Sequence, residues 1–311
     1  MHLESLKAGH SIYFIGLEDG SVPGVAVLAA RSGFNVAGSF YKSNTELVEY
    51  YERHGVKVYV SPDGDRLVDL KPELVVLGSN QTPENPEIRE FDRLGLPPVT
   101  VSELLFHLSS DLRRIGFIQG LGGFSVAEVL SKICDNESLG ITCILPGTQS
   151  CFREGESIVF LGHGIKSSWF DGTPDYVHFR PEIMIFPEII SEDKNDHREI
   201  EQAVADMPDD GILIVNADDI GLIRLFYTSN KQMVTYGETP DSDVVLLKSE
   251  IVGNKKAYTI ENKRTSEGVK YEQVRAPSSI DPKYVLAIWT LLAILDIPIK
   301  EAEELIENLE N

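Results

Sequence analysis

Residues 115–133 read IGFIQGLGGFSVAEVLSKI. An apolar run from Ile115 to Ile118 leads into Gly120, Gly122 and Gly123, and a helical pattern opens at Ser125. A strand, a glycine loop and a helix in that order form a phosphate cradle. The glycines let backbone N–H groups converge on an anion at the positive end of a helix. A working loop of this kind also carries a lysine for the β- and γ-phosphates and a hydroxyl for magnesium. Ser125 keeps the hydroxyl, but Phe124 stands where the lysine belongs. The spacing suits a phosphate; the composition withholds the cation that phosphoryl transfer needs.

A second glycine cluster, Gly16, Gly20 and Gly24, follows the apolar run SIYFI. Its spacing is wrong for the G-x-G-x-x-G dinucleotide fingerprint, and Glu18 and Asp19 put negative charge where a pyrophosphate would lie. The next strand ends in Ser39-Phe40, without the acid that holds a ribose. Tight turns account for these glycines better than a nicotinamide cofactor does. If a pocket survives here, Gly16, Ser79 and Asn80 are expected to line it. The pairs Asp209-Asp210 and Asp218-Asp219 flank the run GILIV and read as solvated turns rather than metal sites. His163, between two glycines, lacks a Ser or Cys elbow, and His197 falls in the first turn of a predicted helix. Trp169 and Phe170 suit core anchors or an aromatic patch for a partner. No catalytic residue and no metal ligand is assigned.

These groups need a scaffold that brings loops to one edge. Across residues 11–109 apolar strands alternate with helices: SIYFI, VPGVAVLAARSG, FNVAGSFY, TELVEYYERHG, VKVYV, PELVVLGSN, ENPEIREFDRLG and VSELLFHLSS. Short loops between them imply a parallel sheet covered on both faces, with ligands beyond the carboxyl ends of the strands. DLRRIGFIQG opens a second series after a charged connector, which sets a boundary near residue 110. That series predicts a helix over 125–135, a helix at HREIEQAVADM capped by Asn195 or Asp196, and an antiparallel patch from SDVVLLKSEIVG, KKAYTIEN and GVKYEQVRA. An apolar helix, PKYVLAIWTLLAILDI, precedes an amphipathic one whose apolar stripe is Ile299, Ala302, Leu305, Ile306 and Leu309. That last helix is expected to pack on its own domain, the other option being a second subunit.

The chain has 311 residues, enough for two cores. With 28 basic and 49 acidic side chains its formal charge is −21. That field argues against nucleic acid and against an anionic membrane surface. Cys134, Cys143 and Cys151 are an odd number without C-x-x-C spacing and have no cationic neighbour in sequence. They read as small core or surface thiols, not as a zinc site or disulfide framework, in a reducing compartment. MHLESLKAGH has no apolar leader and no run approaches a membrane span, so the expected location is the cytoplasm.

Several stretches together resemble the Mur ligases, most closely the UDP-N-acetylmuramate–L-alanine ligase type and its muropeptide-recycling relatives. YFIGLEDGSVPGVAVLAARSGFNVAGSF is similar to that group's opening, and LVVLGSNQTPENPEIREFDRLGLPPVTVSELL to its serine, N-P-E-I and G-[IL]-P-V stretch. Asn85-Pro86-Glu87-Ile88 is the most specific match, and Asn216–Asp219 resembles the family's N-A-D-D turn. The resemblance implies an α/β chain: an N-terminal Rossmann-like parallel-sheet domain of the UDP-sugar-binding type over 1–109, then a P-loop-like central domain over 110–311. The family's C-terminal domain is expected to be absent, unless the sequence is a piece of a longer protein. Such enzymes bind ATP and magnesium, phosphorylate a carboxylate and let an amine attack the acyl phosphate.

The chain departs from that pattern at several motifs. Gly120, Gly122, Gly123 and Ser125 resemble the family's phosphate loop, with Phe124 for its lysine. Phe170–Thr173 aligns with the acidic D-E-S-D stretch and keeps only Asp171. Pro187–Asp193 lacks the histidine of T-N-[IV]-x-x-D-H, and Ile280–Tyr284 replaces H-N-x-x-N. Glu18 and Asp19 replace loop glycines, and Phe40 an aspartate. The expectation is therefore a protein without ligase activity, a vestigial phosphate loop and no assigned cofactor. It would bind, regulate or scaffold in cell-wall precursor metabolism, with a UDP-linked sugar, a protein or a second copy as partner. The alternative is an active ATP-dependent UDP-N-acetylmuramate–amino acid ligase, or a fragment of one, using ATP and Mg.

Overall fold

A computed structural model describes residues 3–41, 44–95, 98–119, 126–163, 172–189, 194–264 and 268–308. The glycine loop with Gly120, Gly122, Gly123, Phe124 and Ser125 lies outside them, as do Trp169, Phe170, Asp171, residues 190–193 and Leu309.

The first sheet has the strands β1 (Ser11–Ile15), β2 (Asn35–Phe40), β3 (Lys57–Val60), β4 (Leu74–Leu77) and β5 (Val99–Thr100). They are parallel, in the order β3-β2-β1-β4-β5. Alternation along β1 explains why helices must cover both faces. Ile12 and Phe14 join one cluster with α1 (Val22–Arg31), α2 (Thr45–Arg53) and α5 (Val101–Leu108). Tyr13 and Ile15 join another with Leu67 of α3 (Gly64–Leu70) and Ile88 of α4 (Pro86–Leu94). Phe40, in place of an acid, is fully buried in the first cluster. A capping box from Thr100 and Glu103 starts α5 directly after β5.

The second sheet has nine strands: β6 (Arg113–Gln119), β7 (Ile141–Ile144), β8 (Ser157–His163), β9 (Ile183–Phe186), β10 (Ile212–Asn216), β11 (Gln232–Gly237), β12 (Val244–Val252), β13 (Lys255–Asn262) and β14 (Lys270–Pro277). Their order is β14-β13-β12-β11-β10-β9-β6-β8-β7. As the sequence predicts, β12, β13 and β14 form an antiparallel edge on an otherwise parallel sheet. Its helices are α6 (Val126–Asp135), α7 (Asp175–Phe179), α8 (Lys194–Ala205), α9 (Ile220–Phe226), α10 (Pro282–Ile294) and α11 (Ile299–Glu307). α10 is buried nearly all round and carries Trp289 into the main core. Ala302 and Ile306 of α11 join that same core, so this helix packs on its own unit.

The two sheets share apolar contacts. Ile144, Ile158, Phe160 and Phe179 belong to the cluster that includes α1 and α5. Gly24 of α1 allows the close approach: a Cβ there would overlap Ser150 Oγ and lie 3.3 Å from Ile144 Cγ2. The Gly147 N–H donates to the Gly20 carbonyl across the same junction, at 2.9 Å.

Two expectations are corrected. Cys134 and Cys151 form a disulfide, and Cys143 is the free thiol beside them. The spacing hid this because an antiparallel bridge pairs Cys143 with Cys151 while the end of α6 delivers Cys134 to the same point. Burial pushes the Cys143 thiol well above its ordinary range. α8 begins at Lys194, so Asn195 and Asp196 lie inside the helix rather than capping it. Among the described residues no helix is long and apolar enough to cross a membrane.

Candidate functional site

The carboxyl ends of β1, β2 and β4 bring together the turns at Gly16–Ser21, Ser39–Tyr41 and Gly78–Gln81, where a parallel sheet presents ligands. The first turn folds back through Gly16, whose φ of +88° suits glycine. A Cβ at Gly16 would lie 2.6 Å from Asp19 Oδ2, and one at Gly78 would lie 3.0 Å from Asp19 Cβ. Asp19 is therefore lodged between the two turns, and it is only 4% exposed. It accepts from the Asn80 N–H at 3.2 Å, from Asn80 Nδ2 at 3.3 Å and from Gln81 Nε2 at 2.9 Å. A side-chain carboxylate thus takes the backbone and amide donors that a ligand anion would use.

Gly16, Ser79 and Asn80, the residues expected to line a pocket, are distributed around that carboxylate. Gly16 makes room for it and Asn80 donates to it. Ser79 faces a crevice of only about 10 Å³, shared with Asp19, Thr100 and Asp175. That is room for about one water at most. The roomier cavity, about 520 Å³, opens beside it. Glu18, Tyr41, Asn44 and Leu47 line one side, Gly147 and Thr148 the other. Glu18 accepts from the Tyr41 N–H at 3.1 Å.

Beneath the turns sits Glu87, fully buried at the start of α4. Its Oε1 accepts from Tyr13 Oη at 2.8 Å and from the Asp63 N–H at 3.1 Å, with Arg66 Nη1 at 3.5 Å. Its Oε2 accepts a short hydrogen bond from Ser39 Oγ. Burial raises the carboxyl above its usual range, while the Ser39, Tyr13 and Asp63 donors pull it back. Asn85 anchors the same corner: its Nδ2 donates to Gln81 Oε1 and its Oδ1 accepts from the Glu87 N–H, both at 2.9 Å. One network runs from β1 and β2 to α4 and on to the turn that holds Asp19.

A comparison with known proteins matches residues 11–113 to the Mur ligase family, catalytic domain. UDP-N-acetylmuramate–L-alanine ligase of Aquifex aeolicus is 25% identical over 247 residues, 75% of this chain and 52% of that protein. The same enzyme of Streptomyces avermitilis is 27% identical over 245 residues, 76% of this chain and 52% of that protein. The chain thus spans about half the length of the curated relatives it matches. Residues 11–113 thus match the Mur ligase family, and the similar curated proteins and folds are Mur ligases. The chain's fold is that of solved Mur ligases. UDP-N-acetylmuramate:L-alanyl-γ-D-glutamyl-meso-diaminopimelate ligase from Neisseria meningitides superposes with a TM-score of 0.82 at 16% identity, over 98% of this chain and 99% of that one. UDP-N-acetylmuramate–alanine ligase of Thermotoga maritima gives 0.73 at 16% identity, over 96% of this chain and 68% of that one.

Two stretches that the sequence reads as departures from Mur ligase motifs, Pro187–Asp193 and Ile280–Tyr284, meet in space at Glu188 and Lys283. Lys283, from the stretch that replaces H-N-x-x-N, places Nζ 2.6 Å from Glu188 Oε2. Tyr284 Oη donates to Glu188 Oε1 at 3.2 Å. The N-A-D-D turn is likewise engaged. Asp218 accepts from the Glu238 and Thr239 N–H groups, and Asp219 caps α9 while accepting from the Ile189 N–H at 2.8 Å. The sequence marks these acids as solvated turns; the structure makes them joints between loops. Asp209 and Asp210 are exposed, as read. His197 lies on α8 and is half-buried. Sequence reasoning missed Asp19 and Lys283 as partners. It also missed the role of Glu87, although N-P-E-I had drawn attention to the right residue.

Proposed function

We propose that this chain is a Mur-ligase-type protein that binds or scaffolds without running phosphoryl transfer, in cell-wall precursor metabolism. The observation that carries the reading is the Lys283–Glu188 ion pair, where two altered motifs converge. A fixed ammonium opposes a divalent cation at that point by about 4 kcal/mol per unit charge at 4 Å, for a partly buried pair. Asp218 and Asp219, the neighbouring acids, already accept backbone N–H groups. Among the described residues this donor set does not suit magnesium. Phe124 in place of the loop lysine supports the same reading, because losing a positioned cation costs orders of magnitude in phosphoryl transfer. Asp19 supports a weakened anion site in the first sheet. A two-domain organisation, 1–109 and 110–311, and a cytoplasmic location belong to this reading.

A second reading, a piece of an active ligase, is favoured by one observation: the chain spans 52% of each of two curated relatives. One experiment separates the two. Thermal melts with millimolar ATP and magnesium, followed by a phosphate-release assay with UDP-N-acetylmuramate and L-alanine, are expected to show neither a shift nor turnover. A shift of several degrees, or hydrolysis that depends on the muramate, rejects the non-catalytic reading.

A further inference from the structure

The chain carries a formal charge of −21, yet one cavity of about 440 Å³ is lined by arginines. It lies between the ends of α1 and α2 and the segment 148–153 of the second unit. Arg31, Arg53 and Arg153 converge there with His54, against one acid, Glu46. The volume is within the usual range for a small-molecule pocket. Arg31 and Arg53 form no ion pair with any described residue. Arg31 stacks over the Phe152 ring at 5.4 Å, and Arg53 spends only Nε, on the Glu49 carbonyl at 3.1 Å. Arg153 is held by Asp135 at 3.6 Å and by two carbonyls, while its buried Nε has no partner among the described residues. Tyr50 is 94% buried; its hydroxyl too has no partner among the described residues, and desolvation pushes it up to about 12. Unmade donors of this kind cost free energy unless something accepts from them.

We propose that this cavity is a second binding site, for the phosphate group of a small phosphorylated molecule. Guanidinium groups match phosphate in planar, bidentate geometry, and three of them offset the repulsion of an acidic protein. The rings of Tyr50, His54 and Phe152 offer an apolar wall to whatever the phosphate is attached to. The site lies along the flank of the first sheet, its lining does not include the Asp19 turn, and it does not depend on the non-catalytic reading.

The test is calorimetric titration of the full chain at low ionic strength with inorganic phosphate and with phenyl phosphate. Saturable one-to-one binding is expected. The Arg31→Gln/Arg53→Gln double variant should weaken it by roughly tenfold or more, since charge-assisted contacts are lost. Both side chains are exposed, so the unliganded melting temperature should be unchanged. Gly123→Asp, a substitution outside this cavity's lining, should leave the binding intact. Tighter phenyl phosphate would identify an ester as the ligand, and equal affinities the free ion. No heat with either probe, equal affinity in the double variant, or loss of binding on Gly123→Asp alone would overturn the proposal.

Discussion

Replacing Glu87 by alanine and by glutamine should give very different proteins. Alanine removes the acceptor that four donors share: Tyr13 Oη, Ser39 Oγ, the Asp63 N–H and Arg66. All but Arg66 lose a short or well-formed hydrogen bond, since Arg66 stands at 3.5 Å. A hydrogen bond to a charged group contributes about 1.5–3 kcal/mol, and breaking a buried charged network typically costs about 3–5 kcal/mol rather than the sum. An estimate of about 4 kcal/mol follows for Glu87→Ala. At roughly 2 °C per kcal/mol for a chain of this size, that is a melting shift of about 8 °C. Glutamine can keep its carbonyl at the Oε1 position, still accepting from Tyr13 and Asp63. Its amide then faces Ser39, whose hydroxyl can turn and accept. Only the charge is lost, and burial already disfavours that charge. Glu87→Gln should therefore remain within about 1 kcal/mol of the parent. Urea unfolding followed by tryptophan fluorescence and by circular dichroism measures both. If the two variants are equally damaged, or alanine costs under about 1 kcal/mol, the acceptor hub is not what holds this corner.

Glu272 offers a pH experiment: it is 5% exposed, neither oxygen has a well-formed hydrogen bond among the described residues, and burial raises its carboxyl above the usual range. A raised acid favours folding below its unfolded pKa and loses that contribution as pH rises through its folded value. Glu272→Gln should accordingly melt higher than the parent near pH 8 and lose the advantage near about pH 4; an advantage independent of pH would refute the assignment. Gly24→Ala should cost about 1–3 kcal/mol by overpacking against Ser150, which is pinned to Leu145 N–H and carbonyl, and Ser150→Gly in the same chain should recover part of it in a denaturant titration. Asp19→Ala should cost about 1–3 kcal/mol and speed hydrogen exchange at the Asn80 amide; unchanged exchange would mean that the carboxylate does not hold this turn. Phe124→Lys alone should give neither ATPase nor ligase turnover in a phosphate-release assay, because the Lys283–Glu188 pair remains.

Much of the architecture is legible in residue order. LVVL is apolar throughout, and SIYFI is buried from Ile12 onward, because β4 and β1 are covered on both sides, and the alternation of strand and helix forces a parallel sheet. The edge β12–β14 is equally readable, since KKAYTIEN alternates as a half-buried strand does. The sequence reading overlooked α3 and α7: each is short, and α3 buries only Leu67, too little to set up a helical period. The site was harder. Asp19 reads as a repulsive charge in sequence, and only the fold shows the amide donors of Asn80 and Gln81 closing on it across 61 and 62 residues. Cys134, Cys143 and Cys151 fail for the same reason, because spacing says nothing about a bridge between two strands of chain and a helix end. Long-range pairs of polar groups leave no periodic trace.

The apolar seam of Ile144, Ile158, Phe160 and Phe179 against α1 and α5 has a thermodynamic meaning. Fully burying an aliphatic or aromatic side chain contributes about 1.5–3 kcal/mol, so pulling the sheets apart would expose about 6–12 kcal/mol of seam. That rivals the whole stability of an ordinary domain, about 5–15 kcal/mol. Neither sheet can melt while its neighbour stays native, and a calorimeter should record a single endotherm. The change of sheet between Thr100 and Arg113 divides the hydrogen-bond ladders but not the cooperative unit: a lesion on either side is felt as one loss of abundance for the whole chain.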